Sequence, residues 1–304
     1  MALLNRAGAP PAGGAAPGPR VLLSAREDQL DSTLALGRVA AHLGDLRRTD
    51  RSEPEPPPVA ALVCDDVTAT ERLLTLGVPV VHLQSGPAGE ALPGRVLVRV
   101  HRPGWLPLPG PPARGARPTG VLAPRRTGRS PNRSGTLVLL SLWGVPPAEA
   151  EAFASEALRE LVAAALRRTG SCTVVADTGL ALVRSALAEH RGVRVLRAAG
   201  ADPDALHADA AVLLASPVLG AIALAQARRA PLALLPPLGP HQRALAAQVR
   251  EILPLPSADD PDDPGLWSPE AAAGPWHLLD PGLDDLRGAQ RVARTLRQLA
   301  LAPL

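Results

Sequence analysis

The chain has no lysine and no tyrosine, and only one phenylalanine and four tryptophans among its 304 residues. Each absence removes a chemistry. Without lysine there is no Schiff base and no P-loop or kinase lysine. Without tyrosine there is no phenolic general acid. Two cysteines, Cys64 and Cys172, stand too far apart in sequence for a CxxC pair, a zinc ribbon or a disulfide framework. No GxSxG, HExxH or GxGxxG motif occurs. All 32 basic residues are arginine, and Ala, Leu, Pro, Gly and Arg dominate. That skew follows GC-rich codons, as in a high-GC bacterium, before it reports on function.

With 46% hydrophobic residues the chain has enough apolar mass for a sizeable core. Net charge is only +3, but it is uneven. Residues 91–148 hold no acid, and six arginines sit within 112–135: Arg114, Arg117, Arg125, Arg126, Arg129 and Arg133. This Pro/Gly-rich stretch reads as a solvated linker, with phosphate binding as the alternative. Few aromatic platforms and no DNA-reading motif argue against a nucleic-acid partner. The longest uncharged apolar run, 210–227, raises the question of a membrane span. Ser216-Pro217 at its middle splits it into a strand and a helix instead. Residues 1–19 lack an apolar signal core and read as a flexible leader, so a cytoplasmic protein without a transmembrane segment is expected.

The pattern alternates short apolar strands with helices. Strands are expected at 20–24, 59–64, 78–83, 95–100, 136–142, 172–176, 193–196, 210–215 and 231–235. Helices are expected at 30–43, 68–76, 148–168, 180–190, 218–228, 240–252 and 283–301. Such alternation predicts an α/β fold of two Rossmann-like, doubly wound parallel-sheet domains facing a cleft. The divisions expected are a leader at 1–19, a first domain at 20–101, a linker at 102–134, a second domain at 135–282 and a C-terminal helix at 283–304.

The stretch 193–249, VRVLRAAGADPDALHADAAVLLASPVLGAIALAQARRAPLALLPPLGPHQRALAAQV, resembles the C-terminal half of GT-B glycosyltransferases that use nucleotide-diphosphate sugars. Residues 216–220 fall where that family has a Gly-rich diphosphate loop, and His241-Gln242 where a sugar-binding Gln begins a helix. The opening VLLSAREDQLDSTLALGRVAAHLG resembles the first strand, loop and helix of the same fold. The resemblance implies a metal-independent transferase with no resident cofactor. A nucleotide-diphosphate sugar would be the co-substrate and a small molecule or envelope component the acceptor. It implies donor-side roles for Trp143, Ser216, Gly220, His241 and Gln242, an acceptor-side loop at Arg26 and Glu27, and Asp28 as the catalytic base, with Asp31 the other acid available.

The departures are specific. The family's loop glycines fall on Pro217 and Val218, and Pro217 has no amide to donate. The ribose-binding Glu falls on Leu224, and the first loop has no His. A second reading therefore stands beside the enzyme: a degenerate, non-catalytic relative acting as partner, scaffold or sensor, with a protein partner or a second copy of the chain. A closed, apolar cleft would favour it. A third reading, a Rossmann protein for another nucleotide, rests on fold alone. Asp65-Asp66 reads either as an acid pair or as a helix cap, Cys64 and Cys172 as inert core residues, and His190 and His207 as surface residues.

Overall fold

The structure, a computed structural model, describes residues 19–44, 46–49, 58–86, 92, 96–107, 115–267, 274–280, 282–283 and 285–302. Residues 1–18 of the expected leader and 108–114 of the expected linker lie outside them.

The first half forms a parallel six-stranded sheet. Its strands are β1 (Arg20–Ala25), β2 (Arg47–Thr49), β3 (Ala60–Cys64), β4 (Val80–Gln84), β5 (Leu97–Val100) and β6 (Arg117–Pro118), in the order β2-β1-β3-β4-β5-β6. Every residue of β3 is buried, as a strand covered on both faces requires. Helices α1 (Leu30–Ala40) and α2 (Val67–Thr75) join these strands. Asp66 caps α2 by accepting from Ala69 N at 2.8 Å, the cap reading of that acid.

The second half forms a parallel five-stranded sheet. Its strands are β7 (Thr136–Leu140), β8 (Cys172–Ala176), β9 (Val193–Arg197), β10 (Val212–Ala215) and β11 (Ala233–Leu234), in the order β11-β10-β7-β8-β9. Around them lie α3 (Pro147–Ser155), α4 (Ala157–Thr169), α5 (Leu180–Ala186), α6 (Pro203–Asp209), α7 (Leu219–Ala227) and α8 (Gly239–Arg250). This is the expected α/β class with two doubly wound parallel sheets.

Three local departures have physical causes. The single helix expected at 148–168 breaks at Glu156 (φ −118°, ψ −86°) into α3 and α4. The pattern also omits α6, although Asp202-Pro203 carries a start signal: Asp202 accepts from Ala205 N at 3.0 Å. Finally, the segment read as a solvated linker is structured over its described part. It supplies β6 and buries Val121, Leu122 and Ala123.

The last helix, α9 (Gly288–Leu301), returns to the first sheet. Its buried stripe of Ala289, Val292, Ala293 and Leu296 shares a core with Val39 of α1, Leu62 of β3 and Leu83 of β4. No helix among the described residues is long and apolar enough to cross a membrane.

A closed interdomain seam as the candidate functional site

In doubly wound sheets a ligand crevice opens beyond the carboxyl ends of the strands, where strand order reverses. Here those reversals lie between β1 and β3 in one sheet and between β7 and β10 in the other. The loops after these strands carry most of the candidate residues.

The seam is closed by α1 lying on α7. All nine residues of α7 are buried. Leu30 and Leu34 of α1 join Leu219, Ile222 and Leu224 of α7 in one apolar cluster that spans both halves. Gly220 is a glycine because of this contact. A Cβ there would stand 2.7 Å from Leu34 Cδ1 and 2.9 Å from Asp31 Oδ1.

At the start of α7 the chain supplies its own acceptor, a carboxyl group. Gly220 N donates to Asp31 Oδ1 at 2.6 Å, and the Leu219 amide also bonds the carboxyl. The positive end of the helix, which attracts anions, is thus taken by a carboxyl group from the other half. Burial raises the Asp31 pKa to about 7. The Gly220 amide and Arg38 pull it back down, and Asp65 pushes it up.

The same pattern repeats along the seam. Asp177, after β8, accepts from Leu30 N at the start of α1 (3.1 Å), from Ser141 Oγ (2.6 Å), from Leu142 N (2.9 Å) and from Thr178 N (2.7 Å). Its burial raises its pKa, and these donors oppose that rise. Glu149 Oε1 accepts from Gly239 N at the start of α8 at 3.0 Å and from Arg243 at 2.6 Å. Behind them Arg38, 1% exposed, makes a bidentate pair with Asp204 of α6 (3.0 and 2.8 Å). Its Nη1 donates to the carbonyls of Leu122 (2.9 Å) and Gly220 (3.0 Å).

The candidate residues divide into two groups. Ser216, Gly220 and Gln242 form the floor, and all are buried and internally bonded. Ser216 Oγ accepts from Ser141 N at 3.0 Å. Gln242 donates to Ser141 O at 2.8 Å and accepts from Leu238 N at 3.1 Å. The rim holds Arg26, Glu27, Asp28, Trp143 and His241. The Trp143 and His241 rings stack with centroids 5.9 Å apart, and the Arg26 guanidinium lies 5.5 Å from the Trp143 ring. Asp28 is held by Arg26 at 3.1 Å, and Glu27 pairs with Arg197 across the seam at 3.2 Å. Asp65 turns back to accept from Ser85 N (2.8 Å) and Ser85 Oγ.

Sequence reasoning named Asp31 only as an alternative base and missed Asp177, Arg38 and Asp204. Their partners lie up to 189 residues away, so no local spacing betrays them. Cys64 and Cys172 are free and buried; burial pushes the Cys172 thiol up to about 12. His207 is a correction: it is fully buried, not at the surface.

Among solved structures, UGT89C1 of Arabidopsis thaliana complexed with UDP has a similar fold. It is 10% identical with a TM-score of 0.52, covering 93% of this chain and 100% of that one. UDP-GlcNAc 2-epimerase of Neisseria meningitidis bound to UDP-GlcNAc is 9% identical with a TM-score of 0.48, covering 92% and 99%. MurG of Acinetobacter baumannii is 9% identical with a TM-score of 0.45, covering 93% and 100%. Comparison with curated protein sequences finds no match. The two sheets, their order and the likeness to the UGT89C1 structure define a protein of the GT-B glycosyltransferase fold. The profile of the family described as CGA synthase-related protein matches residues 21–304, and the chain belongs to that family.

Proposed function

We propose that this chain is a non-catalytic protein of the GT-B fold, acting as a partner or sensor in a biosynthetic pathway rather than transferring a sugar. The observation that carries this reading is the Asp31 carboxyl on the start of α7. A diphosphate bound there would need the Leu219 and Gly220 amides, and both already serve Asp31. Pro217 offers no amide, and Leu224 stands in place of the ribose-binding Glu. Gln242, the candidate sugar contact, has its donor and acceptor atoms committed to the backbone.

Opening the seam would separate the Leu30 and Leu34 packing, each side chain worth about 1.5–3 kcal/mol when buried. It would also break the buried pair between Arg38 and Asp204. A donor would have to supply both costs before reaching the helix start. The same contacts support a rigid two-part shell that presents its outer surface.

The test is incubation of the full chain with UDP-, TDP- and ADP-sugars, following release of nucleotide and free sugar, together with thermal melts. The expected result is no release above the protein-free rate and no stabilisation specific to one base. Turnover, or a melting shift with one nucleotide that is absent with pyrophosphate, would overturn the reading.

A further inference from the structure

A cavity of about 820 Å³ lies on the flank of α1 away from the rim, between α1, residues 124–130 and α6. That volume is within the range of small-molecule sites. It reaches the carboxyl end of α7, where Arg228 is the cap residue, and so lies at the opposite end of the helix from the Asp31 contact. Its floor is small and apolar, from Gly37, Ala198, Ala201 and Ala205.

The charges around it are unbalanced. Two of its acids are already engaged: Asp204 with Arg38, and Asp202 with the start of α6. Among the described residues, Arg125, Arg126 and Arg228 of the wall, and Arg129 and Arg133 beside it, make no ion pair. Arg228 instead donates to Arg126 O at 3.2 Å and lies 3.1 Å from His207 Nδ1. Arginine cannot accept, so Nδ1 of His207 accepts and its Nε2 carries the proton. That Nε2 is buried with no partner, as are Nε of Arg228 and Nε of Arg129. Three unpaired N–H donors therefore lie in the protein behind the cavity wall, out of reach of a ligand in it, and mark a basic cluster that the chain's own acceptors do not satisfy. The His207 pKa falls to about 2 through burial and the arginines around it, as expected where positive charge is left uncompensated.

We propose that this cavity binds a small organic anion, carrying a phosphate or carboxylate group, through Arg228 and Arg126 with the apolar floor receiving its body. Oxyanions match guanidinium groups in forked geometry, and Arg125, Arg126 and Arg228 line the cavity. Asp204, Asp202 and Asp209, all on the wall, attract Arg228 electrostatically in that order and limit the net positive charge.

The experiment measures melting of the full chain in millimolar pyrophosphate or citrate, against sodium chloride at equal ionic strength. It is repeated for Arg228→Gln and Arg126→Gln. The Arg126 side chain is exposed and makes no hydrogen bond or ion pair within the described residues, so its loss should leave the fold intact. The expected result is a rise of several degrees with at least one anion, corresponding to an anion held well above its Kd. Each variant should weaken apparent affinity at least tenfold. A response to pyrophosphate alone assigns a phosphorylated ligand, and a response to citrate alone a polycarboxylate. No anion-specific rise, or a rise unchanged in both variants, overturns the proposal. A base-specific nucleotide shift that survives Arg228→Gln would overturn the non-catalytic reading instead and leave this one standing on the pyrophosphate and citrate results.

Discussion

The two ends of α7 meet the same seam and are treated in opposite ways. At the amino end, Asp31 takes the Leu219 and Gly220 amides, and Ser216 and Gln242 are bonded within the chain. At the carboxyl end, Arg228, Arg129 and His207 leave three buried donors unpaired, and Arg228 also lines a cavity. Conserving a fold and conserving a ligand site are thus separate matters. The start of α7 is internally saturated. The place to which the fold assigns no role retains unmet polar capacity.

The largest way to break the contrast is Arg38→Met. It leaves Asp204 and two carbonyls without their donor, and removing one partner of a buried pair typically costs about 3–5 kcal/mol. Calorimetry should show the melting temperature lowered by roughly 10 °C. A small change would mean that the two halves are not held by this pair.

Gly220→Ala comes next. Its Cβ would press on Leu34 and Asp31, so a loss of about 1–3 kcal/mol is expected in denaturant melts. In an open cleft the same substitution would be neutral or mildly stabilising, because alanine favours a helix interior. The sign of this one measurement separates a closed seam from an open one.

Asp31 gives a pH signature. Its pKa is about 7 in the fold against 3.8 for the free side chain. The folded state therefore keeps a proton that the unfolded state releases, and stability falls as pH rises from about 4 to 7. The full effect is at most about 4 kcal/mol. Asp31→Asn removes the ionisation while its amide oxygen still accepts from Gly220. The stability difference between variant and parent should grow in favour of Asn from pH 4 to pH 7 and level off above it. A flat difference would place Asp31 in contact with water rather than on α7.

The smallest effect belongs to the rim. Trp143→Ala, His241→Ala and the double variant should yield a coupling of about 0.5–1 kcal/mol from the ring stack. Loss of the rim should leave the anion response of the far cavity unchanged.

The fold was largely legible in the sequence, and the state of the site was not. TLVLL at β7 and CTVVA at β8 are short apolar runs bounded by turn residues, and only a covered parallel sheet explains several of them alternating with helices. The loop at 216–220 was singled out by the resemblance of 193–249 to the C-terminal half of GT-B glycosyltransferases. Its occupation by Asp31 depends on a contact across most of the chain, which no window of sequence reveals. One signal was available. LGAIALAQA in α7 is apolar all round except at Gln226, and a helix of that kind is buried on every face. Such a helix cannot line an open, wet cleft. The tally of arginines likewise located the basic segment, but only tertiary packing brings it to Arg228 and His207.

The return of α9 to the first sheet bears on how the chain reaches its native state. The second sheet has its strands contiguous in sequence, from Thr136 to Leu234, and can assemble as that stretch leaves the ribosome. The first sheet is made earlier, yet part of its core is supplied by Val292 and Leu296. Until those residues arrive, the faces of β3 and α1 that they cover are exposed. The half synthesised first is therefore the half completed last, and contacts of such long range slow the final step. Pulse-labelled hydrogen exchange during refolding should show amides of β7 and β8 protected before those of β3 and β4.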